Sequence, residues 1–147
     1  KRMAAGIGAD CAFFIDNRPA FASGIGDVLT PADLDLSNWW ILLVKPDVSV
    51  PTKTAYSKVR PQKPLTSIKE IVKRPVAEWR GLLKNDFEES VFAEYPVVGE
   101  IKDELYRRGA VYASMSGSGS SVFGLFEAEP AMSGFAEEFF VWKGKMM

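Results

Sequence analysis

The 147 residues of the chain amount to about one domain, and a composition of 47% apolar and 25% charged residues excludes a chain that is disordered throughout. Lysine and arginine number 18 against 19 acidic residues, so the net charge of −1 excludes a general attraction to nucleic acid or to an anionic membrane. Histidine is absent and Cys11 is the only cysteine, which excludes imidazole-based nucleophile pairs, histidine zinc motifs and intrachain disulfides.

The cysteine count and the apolar runs give expectations about the cellular location of the protein and about membrane helices. A single cysteine favours a reducing, cytoplasmic location. The longest apolar runs, such as residues 39–44, fall far short of the roughly 20 residues that a membrane helix requires. The chain begins at Lys1 rather than at a methionine, so we expect a fragment of a longer protein.

Short apolar runs and turn residues predict the first strands. Residues 12–15 are apolar and precede Asp-Asn-Arg-Pro at 16–19, which predicts a strand and then a turn. Residues 20–29 predict a second strand, which forms a hairpin with the first and ends before Pro31. Residues 39–44 are apolar on consecutive positions, as is typical of a central strand that is buried on both faces.

Prolines, glycines and an apolar period of about 3.6 residues predict the helices. One helix is predicted to begin near Pro51, and a loop follows at 58–64. A short helix is predicted at 67–72, with Thr66 as its cap. Three further helices are predicted to begin at prolines and to cover residues 75–87, 96–108 and 130–140.

The remaining strands are predicted at 110–115 and 122–126, joined by a glycine-serine turn at 116–121, and at 141–145 on a sheet edge. Strands and helices alternate irregularly, and the hairpin-like pairs indicate antiparallel pairing. The pattern therefore predicts an α+β fold rather than a doubly wound parallel sheet.

Residues 116–121 are the most unusual segment, because Gly117 and Gly119 stand between serines. Glycines permit backbone shapes that bring N–H groups close to an anion, and serine hydroxyls add donors. A Walker A loop is excluded, since it needs a lysine and a following helix. The residues alone leave two interpretations open, a simple hairpin turn and an anion-binding loop.

Asp10 is the second candidate, a carboxylate between a glycine-rich segment and an apolar run. A carboxylate in that place can accept a proton from a hydroxyl nucleophile. The alternative is an aspartate that hydrogen-bonds the backbone of its own loop.

Four segments together carry a family resemblance. GADCAFF at 8–14, AFASGIGDVLTP at 20–31 and VSVPT at 48–52 are similar, in the same order, to segments of 4-diphosphocytidyl-2-C-methyl-D-erythritol kinases. MSGSGSSVF at 115–123 resembles the third signature motif of the wider GHMP kinase superfamily. Cys11 and Ala12 replace the family's usual Val-Pro, which leaves the neighbouring carboxylate in place.

The resemblance implies an activity and site residues. In that family, the γ-phosphoryl group of ATP is transferred to the 2-hydroxyl of 4-diphosphocytidyl-2-C-methyl-D-erythritol, a step of non-mevalonate isoprenoid precursor synthesis. By resemblance, Asp10 is the catalytic carboxylate, Thr52 lies at the substrate, and Tyr56 stacks on the cytosine ring. ATP and Mg²⁺ are the implied cofactors, and no residue here is assigned as a metal ligand. The implied active-site loop consists of Ser116, Gly117, Ser118, Gly119 and Ser120.

The family's lysine and its main phosphate loop, of the form PxxxGLGGGSS, do not occur in these residues. The resemblance places both upstream of Lys1. It implies that residues 1–37 are the end of the catalytic domain and that residues 38–147 are the GHMP C-terminal domain, a ferredoxin-like antiparallel sheet with helices on one face. The implied partners are a small-molecule substrate and the N-terminal half of the same protein, without nucleic acid or membrane. The chain alone is predicted to be inactive, and its oligomeric state stays open.

Two other functions stay open on the residues. One is a non-catalytic α+β binding domain that has kept the fold without the chemistry. The other is a GHMP kinase for homoserine, mevalonate or a sugar, which fits the 116–121 segment but explains residues 8–14 and 48–52 less well.

Overall fold

A computed structural model describes residues 11–60 and 64–147. The chain divides into two compact units, one that ends at Asp35 and one that comprises Leu36–Met147. None of the helices in the described ranges is long and apolar enough to cross a membrane.

Within residues 11–35, the first unit holds one short helix and one hairpin, namely α1 (Cys11–Asp16), β1 (Ala20–Ser23) and β2 (Val28–Pro31). The strand predicted at 12–15 is therefore wrong, because a four-residue apolar run has no period that separates strand from helix. The single strand predicted at 20–29 is also wrong. Gly24 (φ +68°) and Gly26 (φ +98°) turn the chain back on itself, so Ser23 pairs with Val28.

The second unit is α+β, as predicted. Its helices are α2 (Thr52–Lys58), α3 (Ile68–Ile71), a 3-10 turn (Val76–Glu78), α4 (Glu88–Glu94) and α5 (Pro96–Arg107). Its strands are β3 (Trp40–Lys45), β4 (Tyr112–Met115), β5 (Val122–Phe126) and β6 (Phe140–Lys145).

The four strands form one antiparallel sheet in the order β4-β5-β3-β6. Leu42 of β3 lies between Gly124 of β5 and Lys143 of β6. The central position of β3, the β4–β5 hairpin and the edge position of β6 are thus confirmed. All strands of the sheet come from predicted segments because their apolar runs are bounded by clear turn residues.

Helices α2, α4 and α5 pack on one face of this sheet. Leu42 and Val44 contribute to the core from β3, and Leu105 contributes from α5. The opposite face of β3 is less covered, since Ile41 and Leu43 are only half-buried. The prediction that β3 is buried on both faces is therefore wrong for its second face.

The helix predicted at 75–87 is reduced to one 3-10 turn. Gly81 adopts φ +83°, which ends the helical path. The indole N–H of Trp79 donates to the Arg74 carbonyl at 3.0 Å. The chain then turns and forms α4, which the sequence did not predict.

A capping box, rather than Thr66, begins α3. Ser67 is its N-cap, and the Glu70 carboxylate accepts the Ser67 N–H at 3.2 Å. The predicted cap was wrong by one position because Thr66 and Ser67 have the same capping chemistry.

The helix predicted at 130–140 does not form. Gly134 has φ +85°, and the Arg108 guanidinium donates to the Ser133 carbonyl at 2.6 Å while it lies 4.1 Å from the Phe135 ring centre. These contacts hold the segment against the end of α5. The limits predicted for α5 are confirmed, with Pro96 at its start and Gly109 (φ +92°) just past its end.

Candidate functional site

The 116–121 loop joins β4 to β5 as a tight hairpin connection. The Ser116 N–H donates to the Ser121 carbonyl at 2.8 Å, and the Gly119 N–H donates to the Ser116 carbonyl at 3.0 Å. Gly117 (φ +56°) and Gly119 (φ +91°) both lie in the left-handed region. The glycines are thus required by the backbone path, and the predicted turn is confirmed.

A side chain at Gly119 would also crowd Met115. A Cβ at this position would lie 2.8 Å from the Met115 sulfur. The next residue, Ser120, is buried, and its hydroxyl donates to the Val48 carbonyl at 2.7 Å. Ser120 therefore anchors the loop to the segment that precedes α2.

The structure brings two of the predicted site residues together. Thr52 is the first residue of α2, and its hydroxyl lies 3.4 Å from the Ser118 hydroxyl. Tyr56 follows one turn later on the same side of α2. Its side chain is 64% exposed, and its ring meets Phe87 edge-on at 4.9 Å.

The loop presents donors that the described protein does not use. Within residues 11–60 and 64–147, the N–H groups of Gly117 and Ser118 donate to no acceptor. Successive N–H groups beside a left-handed glycine form a concavity that suits an anion. Because the hydroxyls of Thr52 and Ser118 lie close by, the arrangement has the donors needed to bind a phosphoryl group.

Two residues that the sequence analysis missed hold this loop in place. The Asn85 carboxamide donates to the carbonyls of Met115 and Gly117, each at 2.8 Å. The Glu88 carboxylate accepts the Met115 N–H at 2.9 Å and pairs with Lys102 at 2.6 Å. The adjacent polar residues Asn85 and Asp86 are a turn signal that argued against the predicted helix at 75–87.

A cavity of about 520 Å³ opens beside Asn85 and is lined by charged and aromatic side chains. Among its lining residues are Glu88, Lys102 and Tyr112. Burial, and to a lesser extent the charge of Glu88, raises the pKa of Tyr112 to about 12. The Tyr112 hydroxyl donates to the Leu83 carbonyl at 3.1 Å, so this phenol stays protonated and structural at neutral pH.

Asp10 lies outside the described residues. In the described part of the chain, no three acidic or thiol side chains come close enough together to hold a metal ion. Thr52, Tyr56 and the 116–121 loop all belong to the second unit.

Comparison with known proteins gives concordant matches. The family model described as GHMP kinases C terminal matches residues 67–140. The 4-diphosphocytidyl-2-C-methyl-D-erythritol kinase of Bacteroides thetaiotaomicron is 55% identical over 145 residues, which are 97% of this chain and 53% of that protein. The enzyme of the same name from Bacteroides fragilis is 60% identical over 129 residues, which are 88% of this chain and 47% of that protein.

A solved structure matches as well. The crystal structure of a 4-(cytidine 5'-diphospho)-2C-methyl-D-erythritol kinase superposes with a TM-score of 0.69 at 32% identity and covers 82% of this chain and 45% of that one. The chain spans about half the length of the curated relatives it matches.

Proposed function

The chain belongs to the GHMP kinase family, and we propose that it forms the C-terminal part of a kinase that phosphorylates 4-diphosphocytidyl-2-C-methyl-D-erythritol. The reaction is the transfer of the ATP γ-phosphoryl group to the 2-hydroxyl of that substrate, in isoprenoid precursor synthesis by the non-mevalonate route. Two relatives that carry this enzyme's name are 55% and 60% identical to the chain over the 145 and 129 residues that align. The location is proposed to be cytoplasmic.

One observation in the structure supports the proposal above the others. The N–H groups of Gly117 and Ser118, which donate to no acceptor among the described residues, lie in a loop whose Ser118 hydroxyl is 3.4 Å from the Thr52 hydroxyl. In the proposed assignment, the phosphate-binding loop and the substrate-binding helix α2 are neighbours within one unit. Phosphoryl transfer depends mainly on alignment and on charge stabilisation, which such a set of fixed donors provides.

The proposed roles follow from the chemistry of each side chain. The Asp10 carboxylate accepts the proton of the 2-hydroxyl as that oxygen bonds to the γ-phosphorus and the bond to the ADP oxygen breaks. The 116–121 loop donates hydrogen bonds to phosphate oxygens. Thr52 hydrogen-bonds the substrate, and the exposed ring of Tyr56 stacks on its cytosine.

ATP is the proposed second substrate, and Mg²⁺ is expected to accompany it. The described residues contain no cluster of acidic or thiol ligands for a metal ion. A family lysine and a GLGGGSS-type phosphate loop are not among the 147 residues. We therefore propose that residues 1–37 end the catalytic domain, that residues 38–147 form the C-terminal domain, and that the chain alone is inactive.

A fusion protein tests the proposal. The 147 residues are joined behind the part of the Bacteroides thetaiotaomicron kinase that they do not match, and ADP release is measured with ATP, Mg²⁺ and the cytidine substrate. We expect turnover by the fusion and none by the 147 residues alone. The matched control is the fusion with Asp10→Asn, which keeps the shape but removes the basicity and should lower kcat by about 10²-fold or more.

Other outcomes would contradict the proposal. A fusion that is folded but releases no ADP would favour the non-catalytic binding domain. Turnover with homoserine, mevalonate or a sugar in place of the cytidine substrate would assign the chain to another GHMP kinase. Turnover by the 147 residues alone would mean that the chemistry lies elsewhere in the chain.

A further inference from the structure

The edge of β4 is closed by side chains instead of by another strand. β4 is the end strand of the sheet, so its outward N–H and C=O groups need partners from outside the ladder. At Met115, the Glu88 carboxylate accepts the N–H at 2.9 Å and the Asn85 carboxamide donates to the C=O at 2.8 Å. Residues 85–88 therefore fix the point where β4 passes into the 116–121 loop.

Asn85 uses its whole carboxamide in this arrangement. Its Nδ2 donates to both Met115 and Gly117, and its Oδ1 accepts the Phe87 N–H at 3.0 Å. The Glu88 N–H in turn donates to the Asn85 carbonyl at 3.0 Å. The turn that leads into α4 therefore fixes the position of the Asn85 carboxamide. The carboxamide in turn fixes the carbonyls of Met115 and Gly117 at the loop.

The bond to Gly117 sets the direction of a donor. In a trans peptide the C=O and the following N–H point in opposite directions. When Asn85 holds the Gly117 carbonyl, the N–H of Ser118 is turned away from Asn85. Among the described residues, that N–H donates to no acceptor, and the Ser118 hydroxyl lies 3.4 Å from Thr52.

We propose that Asn85 is a positioning residue for phosphoryl transfer, whose carboxamide holds the Gly117 carbonyl so that the Ser118 N–H is directed at the transferred phosphoryl group. This inference rests on the proposed kinase function. Asn85 touches no reacting atom, and it acts through the loop. Donors that are fixed before the reaction stabilise developing charge, because no reorganisation is needed in the transition state.

The test uses Asn85→Asp in the fusion protein described above. Aspartate keeps the side-chain size and the acceptor for the Phe87 N–H, but it loses both donors to the loop. We expect kcat to fall by about 10- to 100-fold, while KM for the cytidine substrate stays within about twofold, since Thr52 and Tyr56 on α2 are untouched. Serine is neutral and too short to reach the loop. Asn85→Ser should therefore also lower kcat and leave KM nearly constant, which would exclude an effect of the aspartate charge.

Lys84→Ala is the matched control, because Lys84 precedes Asn85, lines the same cavity and, among the described residues, makes no hydrogen bond or ion pair with the loop. We expect its kcat to equal that of the parent fusion. Thermal unfolding followed by circular dichroism checks that each variant is folded, and Asn85→Ser decides the question if Asn85→Asp does not fold.

The results separate the two proposals. A parent fusion without kinase activity contradicts the kinase function and, with it, the role of Asn85. An active parent with unchanged kcat in folded Asn85 variants contradicts the positioning role alone. A rise in KM with unchanged kcat would also contradict it, because Asn85 would then act on substrate binding.

Discussion

The aromatic ring of Tyr56 is largely exposed to solvent and contributes little to the packing of the core. The side chain is 64% exposed, and its ring contact is edge-on to Phe87. If the ring stacks on cytosine, Tyr56→Ala should lose about 1 to 3 kcal/mol of substrate binding and raise KM for the cytidine substrate by at least about fivefold. Steady-state kinetics of the fusion measure this change, and KM for ATP should stay nearly constant.

Tyr56→Phe is the control for that experiment, because it keeps the stacking ring and removes only the hydroxyl. Its KM should stay near that of the parent. Equal KM values in the parent and in Tyr56→Ala would show that Tyr56 is an ordinary helix residue at the surface.

Tyr112 gives a prediction about alkaline stability. Burial raises its pKa from 10.0 to about 12, so the folded state holds the proton more tightly than the unfolded state does. The resulting stabilisation is complete below pH 10 and is lost as the pH rises through about 12. The free energy of unfolding in urea should therefore fall by about 2 kcal/mol more in the parent than in Tyr112→Phe over this range.

The difference between the two proteins is the relevant quantity, since lysines and other tyrosines also titrate at alkaline pH. Tyr112→Phe should be about 1 kcal/mol less stable than the parent at pH 7, because the Leu83 carbonyl loses its donor. Parallel pH curves for the two proteins would contradict the burial of an ionisable phenol at this position.

Within the second unit, the strands of the four-stranded sheet could be predicted from the sequence and several helices could not. β3 and β5 are short apolar runs with clear turn residues on both sides, so local chemistry defines them. The helices predicted at 75–87 and 130–140 failed for a different reason. Gly81 and Gly134 adopt positive φ, and contacts from distant residues, such as that of Arg108 with Ser133, select the path.

In the candidate site too, features set by neighbouring residues could be predicted, and features set by distant contacts could not. The 116–121 loop could be predicted because its glycines and serines lie next to each other in the chain. Asn85 could not, since it reaches Met115 and Gly117 across 30 and 32 residues of sequence. No local pattern in a single sequence records such a contact.

The packing of α5 on β5 depends on Gly124. A Cβ at this position would lie 2.9 Å from the Phe126 ring, 3.1 Å from Ala110 Cβ and 3.4 Å from Leu105 Cβ. Gly124→Ala should therefore lower the free energy of unfolding by about 1 to 3 kcal/mol through overpacking. Urea denaturation followed by circular dichroism measures the change.

Gly99→Ala in α5 is the matched comparison. Its Cβ would lie 3.2 Å from the half-buried Phe92 ring, and alanine favours a helix by about 1 kcal/mol over glycine. We expect Gly99→Ala to be close to neutral. A Gly124→Ala variant that is as stable as the parent would mean that α5 can shift away from the sheet at little cost.

The two edges of the four-stranded sheet are protected in different ways. The β4 edge is bonded by Asn85 and Glu88. β6, at the other edge, exposes Phe140 and Trp142 but also carries Lys143 and Lys145. Lysines on an edge strand oppose pairing with another sheet. The lysines of β6 therefore counteract the tendency of its exposed apolar residues to associate with another strand.

The second unit holds the core and should fold without the first. Among the described residues, every buried side chain of the main hydrophobic cluster lies between Leu42 and Phe126. We expect residues 36–147, produced alone, to unfold cooperatively with a Tm within about 4 °C of the 147-residue chain, the shift that about 1 kcal/mol produces in a domain of this size. Circular dichroism and calorimetry measure the two transitions.

A deletion at the other end is the control. Removal of the residues after Phe139 takes away β6, which pairs with β3 along its whole length from Trp40 to Lys45. The interior strand would then become an edge with unpaired N–H and C=O groups, so we expect this shorter protein to lose cooperative unfolding. If residues 36–147 lost it as well, residues before Leu36 would be part of the same folding unit, and the division of the chain at Asp35 would not describe how it folds.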